Sequence, residues 1–123
     1  MENKILIVED DKFVAELYEH QFTKQGFVVK VVGDGEAALY SVGAEKFSLV
    51  LLDIMIPKID GLEVLKKMKA NPAIKDIPVV ILSNLGQEEL IKQALQTGAK
   101  AYIVKSLYTP MQVVAEVRSI LGV

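Results

Sequence analysis

Five side chains stand where apolar runs of the chain break off. Glu9 and Asp10 follow Lys4-Ile5-Leu6-Ile7-Val8, and Asp53 interrupts Leu49-Val50-Leu51-Leu52-Asp53-Ile54-Met55-Ile56-Pro57. Ser83 follows Ile77-Pro78-Val79-Val80-Ile81-Leu82, and Lys105 follows Ala101-Tyr102-Ile103-Val104. Unbroken apolar runs of this length read as parallel strands buried on both faces, which have no use for a carboxylate. In open α/β sheets, ligands and chemistry collect at the carboxyl ends of the strands. Taken singly, each residue has an ordinary explanation: a capping acid, a strand-end hydroxyl, a solvated lysine. Their recurrence at the ends of four runs is what points to a site.

The chemistry of that set is specific. Three clustered carboxylates repel one another and hold protons back unless a cation joins them. A hard divalent ion with oxygen ligands answers that need, and magnesium is the first choice. A carboxylate beside magnesium, a hydroxyl and an ammonium is a place to receive a phosphoryl group, each positive or donor group holding an oxygen on which negative charge develops. Asp53 is then the nucleophile. In a sheet of order 2-1-3-4-5 the four contributing strands are consecutive neighbours. At ~4.8 Å per step they span roughly 14 Å, and a lysine stem can reach inward across the gap.

The elements that must position these groups follow along the chain. Lys12 to Gln25 carries Phe13, Val14, Leu17, Tyr18 and Phe22 at helical spacing, and Gly26 ends it. Residues 27–32 form a second strand. Gly33-Asp34-Gly35 is read as a turn opening a helix through Val42, since no phosphate-loop pattern follows it. The strand centred on 49–57 leads through Pro57 to Gly61 into a helix over 62–68, closed by Asn71-Pro72. A strand over 77–82, a helix over 87–97 and a strand over 101–104 come next. Thr109-Pro110-Met111-Gln112 then reads as N-cap, first-turn proline and capping-box partner of a helix to Leu121. Strands alternating with helices through short connections predict a doubly wound parallel α/β sheet of five strands and five helices.

Composition narrows the function. A chain of 123 residues suits one domain, and folding buries roughly two thirds of its extended-chain surface. With no cysteine, disulfides, thiolate metal sites and thiol nucleophiles are excluded. No apolar run approaches a membrane span, Met1-Glu2-Asn3-Lys4 has no signal-peptide pattern, and a net charge of −2 argues against a broad nucleic-acid surface. The single histidine, His20, is most simply an exposed polar residue of the first helix.

Val8-Glu9-Asp10-Asp11, Leu52-Asp53-Ile54-Met55-Ile56-Pro57 with Asp60-Gly61, Leu82-Ser83 and Gly98-Ala99-Lys100-Ala101-Tyr102-Ile103-Val104-Lys105 together resemble the receiver domain of two-component response regulators, over the whole chain. The resemblance implies a flavodoxin-like fold with strand order 2-1-3-4-5. It implies Asp53 as phosphoacceptor, Asp10 as direct metal ligand beside Asp53, Glu9 as a ligand through water, and the Met55 backbone carbonyl as a further ligand. The metal is Mg2+, with Mn2+ as a substitute. Ser83 becomes the switch hydroxyl, Lys105 the phosphate-pairing lysine, and Tyr102 the aromatic switch that turns inward on activation. Met55, Asn84 and Leu85 flank access to Asp53 and govern lifetime. Asp11 starts the first helix.

The implied protein is a cytoplasmic phosphorylation switch, a single domain over 1–123 with no output domain, and not an enzyme beyond its own phosphorylation and dephosphorylation. Its partners are a histidine kinase or phosphotransfer protein and a downstream protein met through the 87–121 face, with no nucleic acid and no membrane. It is a monomer or a phosphorylation-dependent dimer. Of Val14 and Leu17, one is expected to be exposed and to contact the kinase. Where the family usually has proline after the lysine, Ser106 stands here. A cis bond to serine costs ~3 kcal/mol, so a trans bond or a mixed loop is expected. The competing readings are a degenerate receiver that only mediates protein contacts and, less favoured, an aspartate-nucleophile phosphatase, which would want an acid where Met55 stands. A flavodoxin-like flavin protein is disfavoured because Glu9-Asp10-Asp11 would repel a phosphate.

Overall fold

The computed structural model describes residues 2–123. Its elements run β1 (Lys4–Val8), α1 (Lys12–Lys24), β2 (Val28–Val32), α2 (Gly35–Ala44), β3 (Leu49–Leu52), α3 (Gly61–Ala70), β4 (Val79–Ser83), α4 (Glu88–Thr97), β5 (Ala101–Val104), a single 3-10 turn over Lys105–Leu107, and α5 (Pro110–Leu121). The five strands form one sheet in the order β2-β1-β3-β4-β5, every pair parallel. This is the architecture the alternation of runs and periodic stretches predicts.

Strand residues alternate between two cores, and that is why the runs are apolar without a break. Leu6, Val8, Val50, Leu52, Val79 and Ile81 face α2, α3 and α4, packing on Ala38, Val42, Val64, Leu65, Met68 and Ala94. Ile5, Ile7, Leu49, Leu51, Val80, Leu82 and Ile103 face α1 and α5, packing on Tyr18, Phe22, Val113, Val114 and Val117. A strand between two helix layers exposes neither face, so both parities of its sequence must be apolar. The register aligns Val8 with Leu52 and Val32, and Leu52 with Ile81, so the carboxyl ends of the strands come level along one edge.

Three helix starts behave as their sequences predict. Asp11 caps α1, accepting from Phe13 N at 2.9 Å and Val14 N at 3.1 Å. Asp60 caps α3 through Glu63 N at 3.0 Å, and Thr109 and Gln112 close a reciprocal capping box at α5.

The structure departs from the sequence reading in three places. The central strand stops at Leu52 instead of running towards Pro57. Asp53 N–H still reaches Val8 O at 3.1 Å, but Met55 N–H turns back to the Asp53 side chain and Gly61 N–H bonds Ile54 O at 2.9 Å, so the chain loops. Ile54 and Ile56 are buried in that loop against the α2–α4 core, which explains why the apolar run outlasts the strand. On α1, Phe13 is 86% exposed and Leu17 50% exposed, while Ala15, Tyr18 and Phe22 are buried. The apolar stripe is therefore wider than the contact face. Lastly, a 3-10 turn over Lys105–Leu107 follows β5, where the sequence predicts a plain loop.

Candidate functional site

Asp53 stands immediately beyond β3, in the middle of the sheet, and is 8% exposed. Glu9 stands immediately beyond β1, the next strand, and is 6% exposed, with its N–H bonded to Val32 O at 3.0 Å. Asp10 follows it and faces solvent. One carboxylate oxygen from each of Glu9, Asp10 and Asp53 lies within 4.8 Å of the others. Hard oxygen donors at that spacing suit a small divalent cation that keeps some of its water. The residues present thus fit the magnesium site that the resemblance implies.

The acids are not left simply to repel one another, as the sequence alone implied. Lys105 reaches back across β4, its Nζ 2.8 Å from Asp53 Oδ2 and also bonded to Glu9 Oε1. Burial alone would lower the Lys105 pKa, but hydrogen bonds to Asp53 and Glu9 outweigh it and the ammonium is held charged above its usual range. Burial pushes the Glu9 carboxyl up, against the pull of Lys105 and of the Asp11 N–H that donates to Glu9 Oε2 at 3.1 Å. Met55 N–H donates to Asp53 Oδ1 at 3.3 Å, so the loop after β3 folds over its own carboxylate. The Ser106 substitution does not prevent Lys105 from reaching Asp53, and no peptide bond among the described residues is cis.

Ser83, Leu85 and Tyr102 form a second group on the adjoining strands. Ser83 is 1% exposed at the last position of β4, and its Oγ accepts from Leu85 N at 3.1 Å. The Tyr102 hydroxyl donates to Leu85 O. Burial raises the Tyr102 pKa, the nearby Ser83 hydroxyl pulls the other way, and the negative charge of Asp53 adds to the rise. The half-buried Tyr102 is therefore tied to the β4–α4 connection and feels the charge at Asp53. Leu85 packs on the α2–α4 core, Asn84 is exposed, and Met55 is 66% exposed at the rim.

Of the two residues named for a kinase contact, Val14 is half-buried and Leu17 is exposed. Three residues near the site escaped the sequence reading. Phe13 is the most exposed apolar residue of α1, and the excess width of the stripe 13, 14, 17, 18, 22 was the available signal. Tyr18, buried and read only as core, lies where the charges of Lys105 and Glu9 act on its hydroxyl. Gly61 presses on the backbone of Asp53: a Cβ there would stand 2.2 Å from Asp53 O.

An acid pocket at the carboxyl edge of a doubly wound sheet, with a lysine held on the central aspartate and a buried hydroxyl one strand away, defines the receiver class of domain. The chain belongs to the response regulator receiver domain family, whose sequence model matches residues 5–118. It is 34% identical over 121 residues to the alkaline phosphatase synthesis transcriptional regulatory protein PhoP of Bacillus subtilis, covering 98% of this chain and 49% of that protein. It is 35% identical over 119 residues to the DNA-binding response regulator MtrA of Mycolicibacterium paratuberculosis, covering 97% of this chain and 51% of that one. The chain thus spans about half the length of these curated relatives. Among solved structures it resembles the BeF3-activated N-terminal receiver domain of Klebsiella pneumoniae RstA, with a TM-score of 0.89, 34% identity, and 97% and 98% of the two chains covered. It also resembles the Francisella response regulator 1452 receiver domain, with a TM-score of 0.90, 27% identity, and 98% and 97% covered. No helix among the described residues is long and apolar enough to cross a membrane.

Proposed function

We propose that Asp53 accepts a phosphoryl group from the phosphohistidine of a kinase or phosphotransfer protein, and that residues 1–123 act as a switch in a two-component pathway. The observation that carries this reading is the ion pair between Lys105 and Asp53, 2.8 Å apart inside a pocket of three acids. An Asp53 oxygen attacks phosphorus, the phosphorus–nitrogen bond breaks, and the imidazole leaves with its electron pair. Lys105 is already beside the nucleophile and moves to an oxygen of the arriving group. Ser83 Oγ, one strand away, takes another by exchanging its contact with Leu85 N–H.

Asp10 and Asp53, with Glu9 through water and the Met55 backbone carbonyl, would hold Mg2+, or Mn2+ in its place. The ion, when bound, supplies positive charge where the transferring oxygens are most negative. Drawing Ser83 inward displaces Leu85, and Leu85 O is the acceptor of the Tyr102 hydroxyl. The change is thereby passed to α4, β5 and α5, the face proposed to meet a downstream protein. Residues 1–123 work through protein contacts, not nucleic acid, as a monomer or as a dimer that forms on phosphorylation. They catalyse only their own phosphorylation and dephosphorylation.

Kinase docking is assigned to the α1 rim beside Asp10, where Phe13 and Leu17 are exposed one turn apart. The reading is tested with acetyl phosphate and Mg2+, following the phosphoryl adduct by intact mass. Parent protein gains one adduct and Asp53→Asn none. A parent that stays unmodified, with acetyl phosphate and a kinase alike, supports the protein-interaction reading instead.

A further inference from the structure

We propose that Gly35, in the Gly33-Asp34-Gly35 stretch, is a positioning residue that sets the height of the metal-binding loop over 53–61. The proposal rests on the reading of the acid pocket as a magnesium site.

That loop carries both Asp53 and the Met55 carbonyl. Its base is closed by Gly61, through the bond to Ile54 O at 2.9 Å. Its far side leans on α2. Gly35 N–H donates to Pro57 O at 3.2 Å, and Lys58 Nζ lies 3.8 Å from Asp34 Oδ2. The contact at Gly35 leaves no room for a side chain: a Cβ there would stand 1.9 Å from Ile59 O and 2.8 Å from both Ile59 C and Ile59 Cβ.

Gly35 is not there for the turn. Its φ is not in the left-handed region, so its backbone conformation is open to any residue. Gly33, two residues earlier, has only Glu9 O near a would-be Cβ, at an ordinary 3.9 Å. Of the two glycines in the stretch, one is needed for close approach and the other is not. The approach is rigid on the α2 side, because Asp34 Oδ1 accepts from Ala37 N at 2.7 Å and fixes the first turn of the helix. On the loop side the chain is already constrained at Lys58, whose φ of 71° is left-handed. A side chain at 35 must therefore move Ile59 O by about 1.5 Å, from 1.9 to 3.4 Å, to restore ordinary contact. The same loop places the Met55 carbonyl, so the displacement is read at the metal.

Magnesium dissociation constants of EDTA-stripped protein, measured by titration calorimetry with circular dichroism as the check on folding, test this. Gly35→Ala should bind Mg2+ about tenfold more weakly, the scale seen when an outer support of a metal ligand is lost. Gly33→Ala should stay within about twofold of the parent, which removes turn chemistry as the cause. If Gly35→Ala does not fold, Asp34→Ala and Asp34→Asn decide. Loss of the cap loosens the brace and weakens binding about threefold, and asparagine, which still caps, recovers most of it. Equal affinities for Asp34→Ala and Asp34→Asn would show that any loss is one of charge and overturn the proposal. A folded Gly35→Ala that binds like the parent overturns the positioning role and leaves the magnesium reading standing. A parent that binds no Mg2+ overturns both.

Discussion

Lys105 and Asp53 are joined across the width of β4, Nζ to Oδ2 at 2.8 Å, with Glu9 as the second acceptor of the same ammonium. One ammonium is thus shared by two of the three acids, offsetting part of their charge and lying against the Asp53 carboxylate. Its side chain is 13% exposed, so the pair is screened little by water. Removing one partner of a buried pair leaves the other charge stranded. Lys105→Met should lower the stability of the metal-free protein by about 3 kcal/mol, read as a fall in the urea midpoint in EDTA. Saturating Mg2+ should recover part of the loss, since the freed carboxylates are ones proposed to hold the ion, Asp53 directly and Glu9 through water. A midpoint that does not move in EDTA would count against the ion pair.

Glu9 gives the metal-free protein an unusual pH dependence. Burial raises its folded pKa above the unfolded value of 4.5. Between those two values the folded state binds more protons than the unfolded chain, so stability rises as pH falls through the raised value towards 4.5. Glu9→Gln should therefore have the higher urea midpoint at neutral pH in EDTA, and the gap to the parent should close as the pH falls towards 4.5. A variant less stable than the parent at neutral pH would reverse the sign and show that the contact with Lys105 outweighs burial.

The sheet and its chemistry were legible because they rest on local rules. The runs at 5–8 and 49–52 are apolar at both parities, as burial between two helix layers demands, and an acid directly after such a run is conspicuous. What could not be read rests on contacts between segments distant in sequence. Nothing near Lys105 says that its ammonium will settle between residues 9 and 53. Gly35 looks like a turn glycine until Ile59 O is placed against it. Phe13 stands nine residues before Phe22, about 180° around α1 at ~100° per residue, so it falls opposite the buried face of Ala15, Tyr18 and Phe22, and only gathering every apolar residue of the helix into one stripe hides that.

The exposed pair on α1 separates docking from chemistry. Phe13 is 86% exposed and Leu17 50% exposed, so replacing either with serine should change stability by no more than about 0.5 kcal/mol. Phosphorylation by acetyl phosphate needs no docking and should be unchanged. Transfer from a cognate kinase should fall about fivefold or more in Phe13→Ser, as for an aromatic anchor at an interface. Equal loss with both donors would locate the effect in the pocket itself and remove α1 as the docking face.

The lifetime of the phosphoryl form depends on a water placed in line with phosphorus, opposite the Asp53 oxygen that leaves. Met55 and Leu85 stand two residues beyond Asp53 and Ser83, and neither side chain makes a strong hydrogen bond. Met55 N–H bonds Asp53 Oδ1 at 3.3 Å, so its side chain starts from the edge of the reacting centre and is 66% exposed there. Leu85 is fixed at two points, its N–H on Ser83 Oγ and its carbonyl on the Tyr102 hydroxyl, which holds an apolar side chain on the other flank. Without an oriented water the hydrolysis loses part of an advantage that reaches about 7 kcal/mol or more in well-aligned reactions. The phosphorylated parent should therefore decay slowly in magnesium buffer. Met55→Asn supplies a donor and an acceptor, Leu85→Glu supplies a carboxylate, and the two together should shorten the half-life by about tenfold. The check is the decay of the phosphoryl adduct by intact mass after removal of donor. A parent that already decays fast, and is moved by neither change, defeats the argument.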